Sequence, residues 1–246
     1  NYQTTPIDFG QRAYGSVSYG SHDDKITHAY GNYGVTGNFG ALAILGEVYF
    51  RENDGFRDFN GPTDPDGAGP QKAYGSDDAG GIHQFAPMVK LLWQLPFRKK
   101  ITLELKAALN QLDYYEGYAG LTTADFNADP YQRYVASQLD NMNSNAKTYY
   151  AKLHTDFNSN IKNTLTLYGN MFTRDWYKLD RVNGARLNQI VSKAYGTPNN
   201  LAIYKGTAAG EITYKSNDRA YYAYGLQNQT DLDFTTNFLN KKIDHD

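Results

Sequence analysis

Apolar side chains fall on every second residue over stretches longer than a globular strand requires, and this alternation limits the possible folds more than any motif in the chain. From Phe85 to Leu95 the apolar set is Phe85, Pro87, Val89, Leu91, Trp93 and Leu95, against Gln84, Lys90 and Gln94. Ile101, Leu103, Leu105, Ala107 and Leu109 oppose Thr102, Glu104, Lys106 and Asn110. Tyr149, Ala151, Leu153 and Phe157 oppose Tyr150, Lys152, His154 and Asp156, and Leu165, Leu167 and Met171 oppose Thr166, Asn170 and Arg174. Leu42, Ile44, Val48 and Phe50 alternate with Glu47, Tyr49 and Arg51 in the same way. Successive side chains of a strand point to opposite faces, so each segment reads as a strand with one apolar and one polar face.

The pattern predicts eight strands, at about 11–20, 26–36, 40–52, 82–95, 101–115, 146–157, 163–176 and 219–236. Short connections lie at 37–39, 96–100 and 158–162, and long ones at 53–81, 116–145 and 177–218. Gly37-Asn38 and Asn158-Ser159-Asn160 carry tight-turn chemistry. The expected fold is all-β: an antiparallel up-and-down meander with turns at one end and long, functional loops at the other.

Two environments suit such strands. A soluble sandwich alternates too. A strand of 10 to 18 residues, however, exceeds the ~5–6 usual in globular domains and meets the ~9–11 a tilted strand needs to cross a bilayer core. The polar face is dense in groups that need water: Glu104, Lys106 and Asn110; Lys152, His154 and Asp156; Gln227, Gln229, Asp231 and Asp233. Tyr114-Tyr115, Tyr149-Tyr150 and Tyr221-Tyr222-Tyr224 stand near strand ends, where an aromatic girdle meets headgroups or where ordinary cross-strand packing occurs. Taken alone, the residues leave a membrane barrel and a soluble β-domain both open.

Composition narrows the chemistry. The 24 basic and 26 acidic residues give a net charge of −2, which argues against a nucleic-acid surface. With no cysteine there is no disulfide, thiolate metal site or cysteine nucleophile. An excess of 22 Tyr and 23 Gly suits a β-rich chain with many turns. The longest apolar run, Ala41–Leu45, is far short of the ~18 residues of a membrane helix, which says nothing about strands. The first residues show no charged stretch followed by an apolar run and do not read as a signal peptide. Lys241 to Asp246 reads as a turn cut off mid-way, so we expect a longer parent polypeptide.

Catalytic patterns are weak, and no enzyme is expected. Ser16-Val17-Ser18-Tyr19-Gly20 lacks the leading glycine of a nucleophile elbow and lies in a strand pattern. The five histidines have no metal-ligand spacing. Asp64-Pro65-Asp66-Gly67 and Asp77-Asp78 lack calcium-loop spacing and read as solvated loop. No resident metal or cofactor is expected.

The order Ser18-Tyr19-Gly20-Ser21, Gly37-Asn38-Phe39-Gly40 and Asp54-Gly55-Phe56-Arg57-Asp58 resembles the opening of the barrel in TonB-dependent outer-membrane receptors. The stretch from Gly120 to Pro130, followed by an alternating hairpin, resembles their ferric dicitrate (carboxylate-siderophore) branch, and the likeness runs from about residue 11 to 182. It implies a transmembrane barrel of about 22 strands with an N-terminal plug, of which this chain is an incomplete N-terminal portion of about eight strands. Residues 1–10 would be the linker after the plug and 11–246 the partial barrel, since a sheet with so polar an inner face cannot close on eight strands. The implied activity is import of a scarce ligand such as ferric citrate across the outer membrane of a Gram-negative bacterium. TonB and outer-membrane lipid would be its partners, with iron present only as part of the cargo. A passive porin or adhesin, a cobalamin or TonB-dependent glycan importer, and a soluble secreted β-protein are the other classes considered.

An anionic ferric chelate calls for positive hydrogen-bonding groups at the outer mouth, and the planar fork of Arg pairs best with carboxylates. By parity Arg51 and Arg174 point inward near the long-loop ends of their strands, and Arg57, Arg133, Arg181 and Arg186 lie in or beside the long loops. Tyr131, Gln132 and Tyr134 could add hydrogen bonds. For each Arg the competing expectation is an exposed or intra-loop pair, such as Arg57 with Asp58.

Overall fold

The computed structural model describes residues 4–60, 80–97, 100–115, 117–118, 120–191, 198–238 and 241–245. In chain order its strands are β1 (Arg12–Tyr19), β2 (Lys25–Gly37), β3 (Gly40–Asn53), β4 (Asp58–Asn60), β5 (Ile82–Gln94), β6 (Lys100–Tyr114), β7 (Gln132–Tyr134), β8 (Asn141–Asp156), β9 (Ile161–Val182), β10 (Ala185–Arg186), β11 (Ile212–Lys215), β12 (Arg219–Leu232), β13 (Phe234–Phe238) and β14 (Lys241–His245). Three short helices, α1 (Thr123–Ala128), α2 (Leu187–Val191) and α3 (Pro198–Tyr204), lie in the long connections. The eight long strands form one sheet in the order β1-β2-β3-β5-β6-β8-β9-β12, each antiparallel to its neighbour. The chain is thus an all-β antiparallel meander.

Seven expected strands are present; the eighth, expected over 219–236, ends at Leu232, and Phe234–Phe238 pairs instead with Lys241–His245, a stretch expected to be a turn, in a separate two-stranded sheet. Two strands run further than the alternation suggested. β8 starts at Asn141 rather than 146, and β9 ends at Val182 rather than 176. The added stretch Asn141-Met142-Asn143-Ser144-Asn145 has no apolar face, so periodicity could not reveal it. The calcium-loop candidates at 64–67 and 77–78, and part of the turn at 96–100, lie outside the described residues.

Register aligns the two faces across the sheet. Tyr33, Ile44, Leu91, Leu105, Ala151, Leu167 and Leu226 are successive partners in one row over seven strands. Among them Tyr33, Ile44, Leu105, Leu167 and Leu226 are exposed, Leu226 to 64%. On the opposite face Ala43, Leu92, Glu104, Lys152, Thr166 and Gln227 form a row, and Leu45, Lys90, Lys106, Tyr150 and Tyr168 form the next. Toward the long-loop end the apolar face stops: Lys25, Glu52, His83, Asp113, Asn143 and Asp175 are successive partners on six strands. The period of two splits the tyrosine clusters that lie within strands. Tyr149, Tyr222 and Tyr224 stand on the apolar face, while Tyr150 and Tyr221 stand on the polar one, so only the first three can serve a girdle.

Turn chemistry sets the short end. Gly40 has φ +94°, and a Cβ there would lie 2.0 Å from the Gln94 carbonyl oxygen. Glycine is therefore required where β3 leaves its hairpin and passes β5.

The segment before β1 crosses the polar face near this end. Lys90 Nζ donates to the Thr5 carbonyl at 2.6 Å, and Asn32 Nδ2 donates to the Asp8 and Gly10 carbonyls at 3.0 and 2.7 Å. Asn32 and Lys90 are buried, together with Ala43 and Leu45. A polar group in such a place is tolerated only with a partner, and the crossing backbone supplies it. Gly34 permits the approach, since a Cβ there would sit 2.1 Å from the Phe9 carbonyl oxygen. Gly34→Ala is therefore expected to lift residues 4–11 off the sheet. Limited proteolysis should then cut within them, with about 1–3 kcal/mol lost from the unfolding free energy; unchanged cleavage would refute the contact.

Candidate functional site

The long connections do not behave as separate loops. Thr122 caps α1: its Oγ1 accepts from Asp125 N at 3.2 Å and donates to Asp125 Oδ2 at 2.7 Å. At the other end of the helix Gln132 Nε2 donates to the Asp125 and Asp129 carbonyls, at 2.9 and 3.0 Å. Tyr134 Oη donates to Asp125 Oδ2 at 2.6 Å and accepts from Thr122 N at 3.0 Å. Lys205, just past α3, reaches the same carboxylate at 2.7 Å. Two long connections are thereby joined.

Apolar packing reinforces the join. Tyr134, Ala136, Leu179, Val182, Leu187, Ile190, Ile203 and Tyr204 make a buried cluster, and the Tyr134 and Tyr204 rings meet edge-on with centroids 4.6 Å apart. The end of β9 enters this cluster. Beyond the main sheet β9 is flanked by β11 and β10, and the β9–β10 hairpin turns at Asn183 and Gly184, both at positive φ. The first long connection is tied in by β4, which pairs in parallel with β7, and by Asp58 N donating to the Tyr131 carbonyl at 3.0 Å. The result is a cap over one end of the sheet.

Electrostatics differ among the cap's carboxylates. Burial raises the pKa of Asp140, whose side chain is sequestered; its oxygens accept from Tyr118 N at 2.9 Å and Leu179 N at 2.6 Å. Burial acts on Asp125 in the same sense, but hydrogen bonds from Lys205, Tyr134 and Thr122 outweigh it and hold the pKa down to about 2. Burial drives the Tyr214 phenol up to about 12, and its Oη donates to the Ala136 carbonyl at 2.7 Å.

The residues expected at the mouth divide into three groups. Arg51 and Arg57 line one recess of about 400 Å³ with Asn53, Phe56, Tyr114 and Tyr115. There Arg51 Nε donates to Asp24 Oδ1 at 3.0 Å, and the Arg57 guanidinium lies 5.1 Å from the centre of the Phe56 ring. Tyr131 joins them through an edge contact with Phe56 at 6.2 Å and is exposed. Gln132, Arg133 and Tyr134 form the second group and are buried under the cap. Arg133 binds internal acceptors: Ser137 Oγ and Tyr115 O at 3.0 Å and Ser137 O at 2.7 Å. These three hold the cap together and do not face its surface. Arg174 and Arg181 stand apart from both groups. Arg174 borders a separate hollow of about 770 Å³ with His83, Asp113, Asn143, Asp175 and Arg219, and its guanidinium lies 5.7 Å from the Trp176 ring centre. Arg181 meets Asp180 at 3.3 Å and the Gly184 carbonyl at 3.0 Å, and Arg186 lies beside it in β10.

The sequence reading missed Asp125 and Lys205, which are 80 positions apart and signal nothing locally. Asn183-Gly184 was a legible signal for a two-residue hairpin inside the third long connection. Comparison of the chain with known family models, with curated proteins and with solved structures gives no match.

The Asp125 network makes cap stability depend on pH. A carboxylate whose pKa is lowered on folding stabilises above its unfolded value near ~3.9 and loses that contribution as pH falls through the folded value. Cap stability should therefore fall between pH 4 and about 2, by up to about 2 kcal/mol. Amide exchange in α1 and α3 measures it, and Asp125→Asn should remove that pH dependence while weakening the cap at neutral pH.

Proposed function

We propose that this chain forms part of the wall of a TonB-dependent outer-membrane receptor that imports a ferric carboxylate chelate such as ferric citrate. The observation that carries the membrane part is the wide apolar face left uncovered among the described residues. A soluble β-domain covers such a face with a second layer, whereas exposed apolar patches of this breadth mark contact with lipid or protein.

The dimensions support a bilayer. On β5, Phe85 and Trp93 are eight positions apart on the apolar face, and on β8 Tyr149 and Phe157 are again eight apart. At ~3.4 Å per residue and a tilt of ~35–45°, that spacing spans about 20 Å of depth, close to the ~25 Å band between the aromatic girdles of outer-membrane barrels. From β5 to β8 both anchors shift toward the short-turn end, which is what tilted strands require of a level interface. The polar row from Lys25 to Asp175 then lies in the water above it. The other face would line a hydrated lumen.

Further arguments favour a receptor over a passive pore. A tied cap stands over the mouth, and beside it a recess offers Arg51 and Arg57 to an anion. Residues 4–11 cross the polar face, where a linker from a plug in the lumen would run. β12 pairs only with β9 among the described residues, so further strands could add at its other edge and carry the sheet toward closure. In this mechanism the chelate binds at the mouth, the loops close, and TonB drives rearrangement of the plug; no bond in the ligand is made or broken.

The chain has no cysteine, so single spin labels report cleanly. Leu103→Cys in reconstituted protein should be accessible to oxygen in the lipid, and Glu104→Cys to a water-soluble relaxation agent. Identical environments at the two sites would end the membrane reading. In the intact receptor Arg51→Gln and Arg57→Gln should each weaken ferric citrate binding about tenfold, one charge-assisted hydrogen bond being worth ~1.5 kcal/mol. Uptake that continues in cells without TonB would point instead to a passive porin, and binding of glycan in place of ferric citrate to a glycan importer.

A further inference from the structure

The apolar face has a dent where the β5–β6 ladder is interrupted. Phe85 pairs with Gln111 and Met88 with Ala108, but Ala86 and Pro87 are not paired with the residues opposite them. Pro87 has no N–H to give to a ladder. The small side chain of Ala107 leaves the space open, and the result is a hollow of about 410 Å³ lined on this face by Pro87, Val89, Ala107, Leu109, Lys147 and Tyr149.

Lys147 is the singular member of that lining. It pairs with Leu109 on one side and Met171 on the other, with Tyr222 beyond. It is exposed and is the one cationic side chain within the apolar rows among the described residues. Two positions toward the loop end, Gln111, Asn145 and Thr173 are polar. The ammonium therefore stands at the upper rim of an apolar hollow, at the level where the face turns hydrophilic.

We propose that this hollow seats an acyl chain of a phosphate-bearing lipid, with the lipid phosphate on Lys147. The assignment rests on the membrane reading above and adds to it a particular lipid position. Charge complementarity selects the occupant: a purely apolar ligand would leave the ammonium unused, and a free phosphate would leave the hollow empty. Tyr149, 41% exposed, forms a side wall that can lie along the chain. A long-stemmed lysine reaching from apolar surface to a headgroup is favourable in itself, and each basic residue at an anionic surface contributes ~1 kcal/mol.

The test uses the intact receptor of which this chain is the proposed wall, in phosphatidylcholine vesicles containing a minority of phosphatidylglycerol. The protein is re-extracted in mild detergent and retained lipids are counted by native mass spectrometry. One phosphatidylglycerol should be retained in preference to phosphatidylcholine. Lys147→Gln should lower its retention about fivefold. Ala107→Phe fills the hollow without touching the charge and should lower it similarly, while Lys162→Gln, on the opposite face, should change nothing. Full retention by Lys147→Gln, equal retention of the two lipids, or displacement by inorganic phosphate alone would overturn the assignment while leaving the membrane reading in place. An unmodified intact receptor that fails to float with vesicles of either composition would overturn both.

Discussion

Antiparallel pairing in one constant register forces the side chains of eight strands onto two chemically opposite surfaces, and everything else in the molecule follows from that separation. Because each long strand pairs in register with the next, a leucine row and a charged row are held only a backbone thickness apart. Neither can be relocated without shifting a whole strand by one residue, which would exchange its faces. Such a sheet needs its apolar side covered, by lipid or by protein, while its polar side stays hydrated. The energetic scale is large. At ~25 cal/mol per Å² of apolar surface, each side chain such as Leu226, Tyr224 or Ile44 left in water forgoes about 1–3 kcal/mol, and a whole face of them rivals the ~5–15 kcal/mol by which a domain is stable.

The buried apolar cluster lies in the cap. The sheet's own buried positions, Ala43 and Leu45, sit beneath the crossing N-terminal segment. Ordinary globular packing is thus confined to the end of the sheet, where the connections are long enough to bury Tyr134, Ile190, Ile203 and Tyr204 against the tip of β9. Elsewhere the strands rely on hydrogen-bonded ladders and on whatever medium covers their apolar side. In the receptor wall proposed above, lipid would cover the shaft while the mouth held its own shape.

The fold was largely legible in the sequence. Alternation is a local signal, and a strand with two distinct faces writes it plainly from Phe85 to Leu95 or from Ile101 to Leu109. It failed where neither face is consistently apolar, at Asn141 to Asn145, and where β9 leaves the sheet for the cap. The site was much less legible. Arg51 and Arg57 do share a recess, since parity and loop position are again local. Gln132, Arg133 and Tyr134 are drawn inward by contacts that no local pattern encodes: α1's carbonyls for Gln132, the 3-10 turn after β7 for Arg133, and Asp125 for Tyr134. Three adjacent polar residues in a loop suggest a binding surface, yet burial with satisfied hydrogen bonds makes the same residue types into framework.

The way the cap is tied restricts how its mouth could ever open. The second and third connections share an apolar cluster, an ion pair and the rod of β9, so neither is free to swing as a flap. Among the described residues the first is fastened to them by the three residue pairs of β4 and β7, the Asp58–Tyr131 hydrogen bond and the Phe56–Tyr131 ring contact. In the receptor proposed above, widening the recess over Arg51 and Arg57 would part this short seam while the joined second and third connections acted as a fixed jamb.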